Sequence, residues 1–394
     1  MSLAVYVHIP FCVVKCGYCD FNAYANLDGL KPAYAGALVA DIESWSDVLA
    51  GVPVHSVSFG GGTPGEFPPG DLVATVEVVR RLASIASEAE ISLEANPGTT
   101  DEASLRLLVH GGFNRVSFGA QSLDPSELRF LDRVHSPQAV TASVVNARTA
   151  GFASVGLDLI YGLPGQSLDS WVHSLRAALA LRPDHLSCYA LTVEDATPLG
   201  LAIARGRVAE PDPDSAATMY ETTEELLADA GYRHYEISNW ALPGNESRHN
   251  RTYWEGGDYL GIGAGAHGFV AGERYENHSH PRRYIAAGEP SGQLHRPFVA
   301  SSYVPTVVSA MSDWLETHLR LVAGFDIREF ESSFGVALDT VAGPPLAQCE
   351  EFGLLARKRH RLCLTPRGRL LHSEVCARVL VHLQSRESSA SPLQ

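Results

Sequence analysis

The chain has 394 residues, a hydrophobic fraction of 45% and a formal net charge of −15 at pH 7. This length predicts two or three domains with a sizeable core, and the acidic balance argues against a nucleic-acid backbone as the main partner. We see no apolar run long enough to span a bilayer and no signal peptide at the start, so we expect a cytoplasmic protein without a transmembrane segment. Seven cysteines are too few, and odd in number, for a disulfide framework.

Short apolar strands alternate with amphipathic helical stretches through the first half of the chain. The predicted strands are LAVYVHI, HSVSFGG, EISLEAN, RVSFGAQ, VGLDLIYG and HLSCYAL, and the helical runs include DLVATVEVVRRLASIA and DEASLRLLVHGG. This alternation is typical of parallel βαβ units. Six units predict an α/β fold with a partial, open (β/α)6 barrel over residues 1–205, and place the functional site at the carboxyl ends of its strands.

The composition and the predicted secondary structure change in the second half of the chain. Residues 206–297 are less regular and rich in Gly, His, Tyr and Trp, and we interpret them as an extension of the barrel. Residues 298–385 read as helices followed by a hairpin and a further helix, which predicts a small α+β module resembling a winged helix. The polar, Ser-rich residues 386–394 are predicted to be a disordered tail.

Three cysteines lie close together after the first strand. Cys12, Cys16 and Cys19 form the pattern C-x-x-x-C-x-x-C. A cubane iron–sulfur cluster has four irons, so three thiolates leave one iron open to another ligand. The alternative is a partial zinc site with His8 as fourth ligand. Structural zinc sites usually pair two cysteine knuckles from separate segments, and we find no second knuckle in the sequence.

Polar groups and glycines also follow the other predicted strands. The string Gly60–Pro64 would let a ligand approach the backbone, or it is only a tight turn. Glu94 could pair with an ammonium group or cap a loop, and Gln121 offers a donor and an acceptor to a ribose. Arg133 could clamp a carboxylate or be a solvated helix charge. Asp158 lies within an apolar strand, so it is either functional or bonded to a neighbour.

Together these strings resemble the HemN/HemW family of the radical S-adenosylmethionine (SAM) superfamily, which includes oxygen-independent coproporphyrinogen III dehydrogenase. The resemblance covers nearly the whole chain and is carried by YVHIPFCVVKCGYCDF, SFGGGTP, LEANP, SFGAQS, LDRVHS and DLIYGLPGQ. It implies that Cys12, Cys16 and Cys19 ligate a [4Fe-4S] cluster. It also implies SAM contacts at Tyr6, Tyr18, Gly61, Gly62, Thr63, Glu94, Gln121, Arg133, Asp158 and, through a looser match, Ala190.

Two features separate this chain from the dehydrogenase branch. The dehydrogenase pattern has an additional cysteine two positions after the third, where this chain has Phe21. The string HNRTYW fits the H-N-x-x-Y-W pattern of the sister branch of haem chaperones. That resemblance implies haem contacts at His249, Tyr253 and Trp254, since iron takes a histidine ligand readily and aromatic rings pack on a porphyrin. The alternative is a satisfied surface histidine, and His267 and the cluster NHSHPRRY compete as ligands.

The leading hypothesis is a haem chaperone that binds haem, a [4Fe-4S] cluster and SAM and delivers haem to client haemoproteins. The second is coproporphyrinogen III dehydrogenase, in which a radical from SAM removes hydrogen from propionate side chains. A third is a relative that methylates or opens a tetrapyrrole. The sequence leaves open whether SAM is cleaved or only bound, and therefore whether the protein is an enzyme. It also leaves open the axial ligand, the oligomeric state, the role of the C-terminal module and a membrane-associated client.

Overall fold

The computed structural model describes residues 2–289 and 295–389, and side chains as far as residue 385. The strands are β1 (Leu3–Ile9), β2 (Phe11–Cys12), β3 (Tyr24–Ala25), β4 (Pro53–Gly61), β5 (Ser84–Ala95), β6 (Arg115–Gln121), β7 (Ser154–Tyr161), β8 (His185–Ala190), β9 (Arg233–Glu236), β10 (Asn239–Ala241), β11 (Tyr259–Ile262), β12 (His267–Val270), β13 (Glu273–Asn277), β14 (Val299–Tyr303), β15 (Phe325–Asp326), β16 (Leu355–Lys358) and β17 (Arg361–Leu364).

The α-helices are α1 (Lys31–Ser44), α2 (Ser46–Leu49), α3 (Pro69–Leu82), α4 (Glu102–His110), α5 (Pro125–Phe130), α6 (Pro137–Ala150), α7 (Leu168–Ala180), α8 (Pro198–Ala204), α9 (Pro213–Asp229), α10 (Arg248–Trp254), α11 (Pro281–Ala287), α12 (Val307–Leu319), α13 (Ile327–Phe334), α14 (Leu338–Glu351), α15 (Pro366–Leu370) and α16 (His372–Ser389). Among the described residues, no helix combines the length and the hydropathy needed to cross a membrane.

Two compact units divide the chain. The first contains the chain up to Arg233 together with Trp240–His249 and Asp258–Ser302. The second contains His234–Asn239, Asn250–Gly257 and the chain from Tyr303 onward.

One large sheet organises the first unit, in the order β14-β13-β12-β11-β1-β4-β5-β6-β7-β8-β10. The six strands expected from the sequence correspond to β1 and β4 to β8, and neighbouring strands among them pair in parallel. Strand β5 begins at Ser84, inside a run that the sequence predicts as helical. Ser84 and Ile85 pair with β4, so sheet pairing overrides the local helical pattern.

The two faces of this sheet differ in polarity. One face carries Tyr6, Ser58, Ser92, Ser117 and Asp158 at neighbouring register positions. Hydroxyl groups connect these strands, since Ser92 Oγ lies 2.9 Å from Ser58 Oγ and Ser117 Oγ donates to Asp158 Oδ1 at 2.9 Å. The alternate positions on the same strands are apolar and buried. The sheet therefore has a polar inner face that can line a ligand site.

The second unit contains a small three-stranded sheet in the order β15-β17-β16, in which β16 and β17 form a hairpin. Its core includes Leu315, Phe330, Leu346, Leu362 and Val379. The final helix, α16, continues to residue 389 and so enters the tail that the sequence predicts to be disordered. Residues 386–389 contain no Gly or Pro to end a helix. The rest of that tail, 390–394, lies outside the described residues.

A buried carboxylate joins α1 to the sheet. Asp41 is fully buried, and its Oδ2 accepts hydrogen bonds from Tyr284 Oη at 2.6 Å, Gly263 N at 3.1 Å and Asn277 Nδ2 at 3.1 Å. Its Oδ1 has no hydrogen-bond partner among the described residues. Burial outweighs these bonds and raises the pKa of Asp41 from 3.8 to about 7.

The substitution Asp41→Asn tests this assignment through the pH dependence of stability. The unfolded chain ionises Asp41 at a lower pH than the folded chain does, so the wild type loses stability as pH rises from 3.8 towards about 7. We expect the free energy of unfolding of the wild type, relative to that of the variant, to fall by about 1.4 kcal/mol per pH unit in this window. Urea unfolding of both proteins between about pH 5 and about pH 8 measures the difference, and parallel pH profiles would contradict it.

Candidate functional site

The predicted ligand-binding residues of the barrel strands meet at one edge of the sheet. Strand β1 leads into the cysteine loop, which we define as residues 12–22, and β4 leads into Gly60, Gly61, Gly62 and Thr63. Glu94, Gln121, Asp158 and Ala190 lie at or near the carboxyl ends of β5 to β8. Because these strands are parallel, their carboxyl ends share an edge.

Two of the three cysteines contact other parts of this edge. Cys12 Sγ lies 3.4 Å from Thr63 Oγ1, and Arg133 Nη1 donates to Cys16 Sγ at 3.7 Å. Tyr18 packs against the small apolar cluster of Leu131, Ile160 and Leu163. The cysteine loop is therefore docked on the strands that carry the other predicted residues.

Side chains from outside the loop hold its backbone in place. Glu66 Oε2 accepts a hydrogen bond from Val13 N at 2.7 Å, and Asp132 Oδ2 accepts one from Gly17 N at 3.1 Å. Asp132 adopts a left-handed backbone with φ 51°, which is uncommon for a residue other than glycine. We did not identify either carboxylate from the sequence. Glu66 follows the motif SFGGGTP and Asp132 lies within LDRVHS, but only the fold shows which backbone group each carboxylate reaches.

The far end of the loop is held by Asn22. Its Nδ2 donates to Ala264 O and to Ser279 O, both at 2.9 Å. Gly265 is required beside this amide, because an added Cβ would overlap it and Gly265 has φ +74°. The glycine-rich string after β11 is thus a support for the cysteine loop, which the sequence did not indicate.

The cysteine thiols lie in surroundings that disfavour negative charge. Burial, together with nearby carboxyl and thiol groups, raises the pKa of Cys12 to about 11. Burial also raises the pKa of Cys19. Cys12, Cys16 and Cys19 are all free of disulfide bonds. Three thiolates at this edge would repel one another unless a cationic metal group compensates their charge, so the donor set fits a cluster of iron.

The alternative of a zinc site with His8 finds no support in the geometry. His8 Nε2 donates to Asn22 O at 2.9 Å, and its Nδ1 lies 3.0 Å from Tyr6 Oη. Both ring nitrogens therefore already have partners. Within residues 2–289 and 295–389, no group of three or more His, Cys, Asp or Glu side chains is arranged to hold a metal ion. A four-iron cluster does not require the three thiolates to converge on one ion, because each thiolate binds a different iron.

Arg133 connects the ends of β5 and β6 through its guanidinium group. Its Nη2 donates to Gly119 O at 2.7 Å and to Asn96 Oδ1. Asn96 Nδ2 in turn donates to Thr63 Oγ1 at 2.9 Å. Arg133 Nε is buried and has no hydrogen-bond partner among the described residues. A buried, unpaired guanidinium N–H fits an anionic group such as the carboxylate of SAM.

Two carboxylates face the inside of the partial barrel. Glu94 accepts a hydrogen bond from Gly61 N, and its side chain stays accessible from the open interior although protein surrounds it. This enclosure, with Asp158 nearby, raises the pKa of Glu94 to about 7. Burial also raises the pKa of Asp158, against hydrogen bonds from Ser117 and Ser187. A cation placed between them would relieve this repulsion, so the pair fits the ammonium group of SAM.

The glycine string forms a tight turn. Gly62 N donates to Ile9 O at 2.9 Å and Thr63 N donates to Phe11 O at 2.8 Å. Gly61 has φ +113°, and an added Cβ would lie 2.5 Å from His8 Cε1. These contacts support the turn interpretation, while a SAM contact at Gly61 and Gly62 stays a prediction.

Gln121 and Ala190, at the ends of β6 and β8, differ in exposure and in backbone conformation. Gln121 is half-buried and has φ 64°, a backbone conformation that few residues other than glycine adopt and that is often found at functional sites. Ala190 is exposed at the end of β8. Both therefore lie at the edge that carries the cysteine loop.

His249 packs against the inner face of the sheet in the first unit. Its side chain is 2% exposed, its Nδ1 lies 3.0 Å from Ser56 Oγ, and its ring centroid is 6.2 Å from that of Tyr6. Ser56 precedes Gly60 by four residues, which corresponds to about 13 Å along the strand. Burial lowers the pKa of His249 to about 3. His249 therefore lies on the inner face of the sheet beside Tyr6, one of the predicted SAM contacts, and below the end of β4 that carries the glycine string.

The aromatic residues of the same string belong to the second unit. Tyr253 and Trp254 are half-buried, with ring centroids 6.3 Å apart in an edge-on arrangement. The guanidinium of Arg320 lies 4.4 Å from the centre of the Trp254 ring. Of the competing histidines, His267 is exposed at the start of β12, and His278 and His280 are half-buried.

Comparisons with known proteins show which families and which fold this chain is similar to. Residues 6–178 match the family described as "Radical SAM superfamily", and residues 312–371 match "HemN C-terminal domain". The solved structure described as "Coproporphyrinogen III oxidase (HemN) from Escherichia coli is a Radical SAM enzyme" superposes with a TM-score of 0.83 and 24% identity, over 96% of this chain and 90% of that chain. This likeness confirms the predicted fold class.

Curated relatives match over nearly the full length. "Heme chaperone HemW" of Mycobacterium tuberculosis is 40% identical over 386 residues, which is 95% of this chain and 94% of that protein. "Heme chaperone HemW" of Bacillus subtilis is 34% identical over 94% of this chain and 97% of that protein. The Escherichia coli protein of the same name is 39% identical over 75% of this chain and 80% of its own length. The chain therefore belongs to the HemW family within the radical SAM superfamily.

Proposed function

We propose that this protein is a haem chaperone: it binds haem, a [4Fe-4S] cluster and SAM, and delivers haem to client haemoproteins. The observation that carries the proposal is the similarity to proteins named haem chaperones over 95% of the chain. Phe21, 63% exposed within the cysteine loop, stands where the dehydrogenase branch has a cysteine, which disfavours dehydrogenase activity. Free thiols and a cluster both favour the reducing cytoplasm as its location.

The residues of the edge have separate roles in this proposal. Cys12, Cys16 and Cys19 hold the cluster, which when bound supplies an iron with an open coordination position. Arg133 supports Cys16 and offers its unpaired Nε to the SAM carboxylate. Glu94 supplies negative charge for the SAM ammonium group.

Haem titration tests the proposal directly. Purified, reconstituted protein is titrated with haem without oxygen and followed by its visible absorption. We expect saturable binding of one haem per chain, and a loss of affinity of at least about tenfold in His249→Ala if this histidine is the iron ligand.

The exposed His267 provides the matched control. His267→Ala should bind haem as the wild type does, with the same absorption maximum. A loss in His267→Ala with normal binding by His249→Ala would move the ligand away from HNRTYW, and an absence of haem binding by the wild type would contradict the chaperone proposal.

A further inference from the structure

The segment that carries His249 is fastened by one buried carboxylate. Glu90, on β5, is buried, and its Oε1 accepts hydrogen bonds from Ser247 Oγ at 3.2 Å and His249 N at 3.1 Å. Its Oε2 accepts one from Arg248 N at 3.2 Å. A single side chain therefore binds three consecutive residues at the start of α10.

A second buried charge holds this carboxylate in place. Arg115, on the neighbouring strand β6, lies with its Nη1 3.6 Å from Glu90 Oε2, and both side chains are 8% exposed. The same Nη1 donates to Asn245 O at 2.9 Å, two residues before Ser247. Hydrogen bonds to charged groups in a protected environment are stronger than those between neutral groups. The Glu90–Arg115 pair thus holds this segment at two places: Arg115 bonds to Asn245, and Glu90 bonds to Ser247–His249.

The hydrogen bonds to Glu90 hold His249 in a buried position in which its ring cannot bind haem iron. Iron must reach a ring nitrogen, and a porphyrin is a wide planar ligand, whereas the imidazole is 2% exposed and already contacts Ser56. The segment Ser247–His249 must therefore leave Glu90 before iron can be ligated by His249.

We propose that Glu90 is a positioning residue that acts as a latch on His249: with Arg115 it holds the histidine in a closed position, and release of the latch limits the rate of haem ligation. This inference rests on the proposed function and adds to it an opening step. Strand β5 would then carry two functional carboxylates. Glu90 acts on haem binding through His249, and Glu94 faces the ammonium group of SAM.

Stopped-flow measurement of haem association tests the latch with Glu90→Gln. The amide keeps the shape of the side chain but weakens its three hydrogen bonds, so we expect association on the order of tenfold faster than in the wild type. Glu88→Gln is the matched control, because Glu88 is exposed on the same strand and its carboxylate contacts Ser87. Damage to a merely structural contact would slow haem binding or leave it unchanged.

Amide hydrogen exchange measures the latch without haem. The N–H groups of Arg248 and His249 donate to Glu90, so they should exchange faster in Glu90→Gln and, in the wild type, faster after haem is bound. Because Glu90→Gln leaves Arg115 without its buried partner, Ser247→Ala serves as a second variant, since it removes one of the three hydrogen bonds to Glu90 and keeps the Glu90–Arg115 pair.

The outcomes separate the latch from the chaperone function. Faster association in Glu90→Gln or Ser247→Ala, but not in Glu88→Gln, supports the latch. Unchanged association in both, or normal haem binding by His249→Ala, overturns the latch and leaves the chaperone proposal in place. No haem binding by the wild type overturns both.

Discussion

Substitution of Cys16 by serine is expected to abolish cluster binding, with the iron content of the reconstituted protein falling from about four per chain to near zero. Cys16 is buried, and its sulfur accepts a hydrogen bond from Arg133. Serine is a poor ligand for iron, and two cysteines do not retain a cubane cluster. Iron and sulfide analysis, with electron paramagnetic resonance of the reduced protein, measures the loss.

Cys363→Ser is the matched control for this experiment. Cys363 is half-buried in the second unit, where its sulfur contacts Ala356 O at 3.6 Å. That variant should keep the full iron content. Retention of four irons by Cys16→Ser would contradict the ligand assignment, and the presence of one zinc per chain in place of iron would favour the zinc alternative.

SAM affinity is expected to depend on pH through Glu94. In the free protein its pKa is raised to about 7, and a bound ammonium group would favour the ionised carboxylate and lower that pKa. The affinity for SAM is therefore highest above the pKa of Glu94. It falls as pH decreases through this pKa, by up to about tenfold per pH unit. Calorimetric titration of the reconstituted protein with SAM between about pH 5.5 and about pH 8.5 measures this dependence.

Glu94→Gln removes the titrating group, so its SAM affinity should be weaker at high pH and nearly independent of pH. Glu88→Gln, on the same strand but facing solvent, should follow the wild type. A pH profile that Glu94→Gln shares with the wild type would show that another group is responsible and would remove Glu94 from the SAM site.

The partial barrel and its edge could be predicted because short, continuous stretches of sequence determine them. Each of the six strands is a short apolar run, and each motif residue lies at or near the end of its own strand. Parallel pairing then brings Glu94, Gln121 and Asp158 to one edge without further information. The helical run before EISLEAN was the exception, because pairing of Ser84 with β4 decides its conformation.

The position of His249 could not be predicted because it depends on distant residues. Its partners Ser56 and Glu90 precede it by 193 and 159 residues. Neither partner belongs to a recognisable motif, and HNRTYW by itself does not distinguish a buried histidine from an exposed one. The supports of the cysteine loop were missed for the same reason, since Asn22 reaches Ala264 across 242 residues.

The supports of the cysteine loop affect what is expected when the proposed cluster is lost. Glu66, Asp132 and Asn22 attach the loop near its beginning, its middle and its end, so protein contacts contribute to its order in addition to any metal–thiolate bonds. Many small metal sites collapse when the metal leaves, because metal binding is also their folding energy. We therefore expect these contacts to keep the three cysteines close together after oxidative loss of the proposed cluster, so that new iron and sulfide would meet a loop that is already partly ordered.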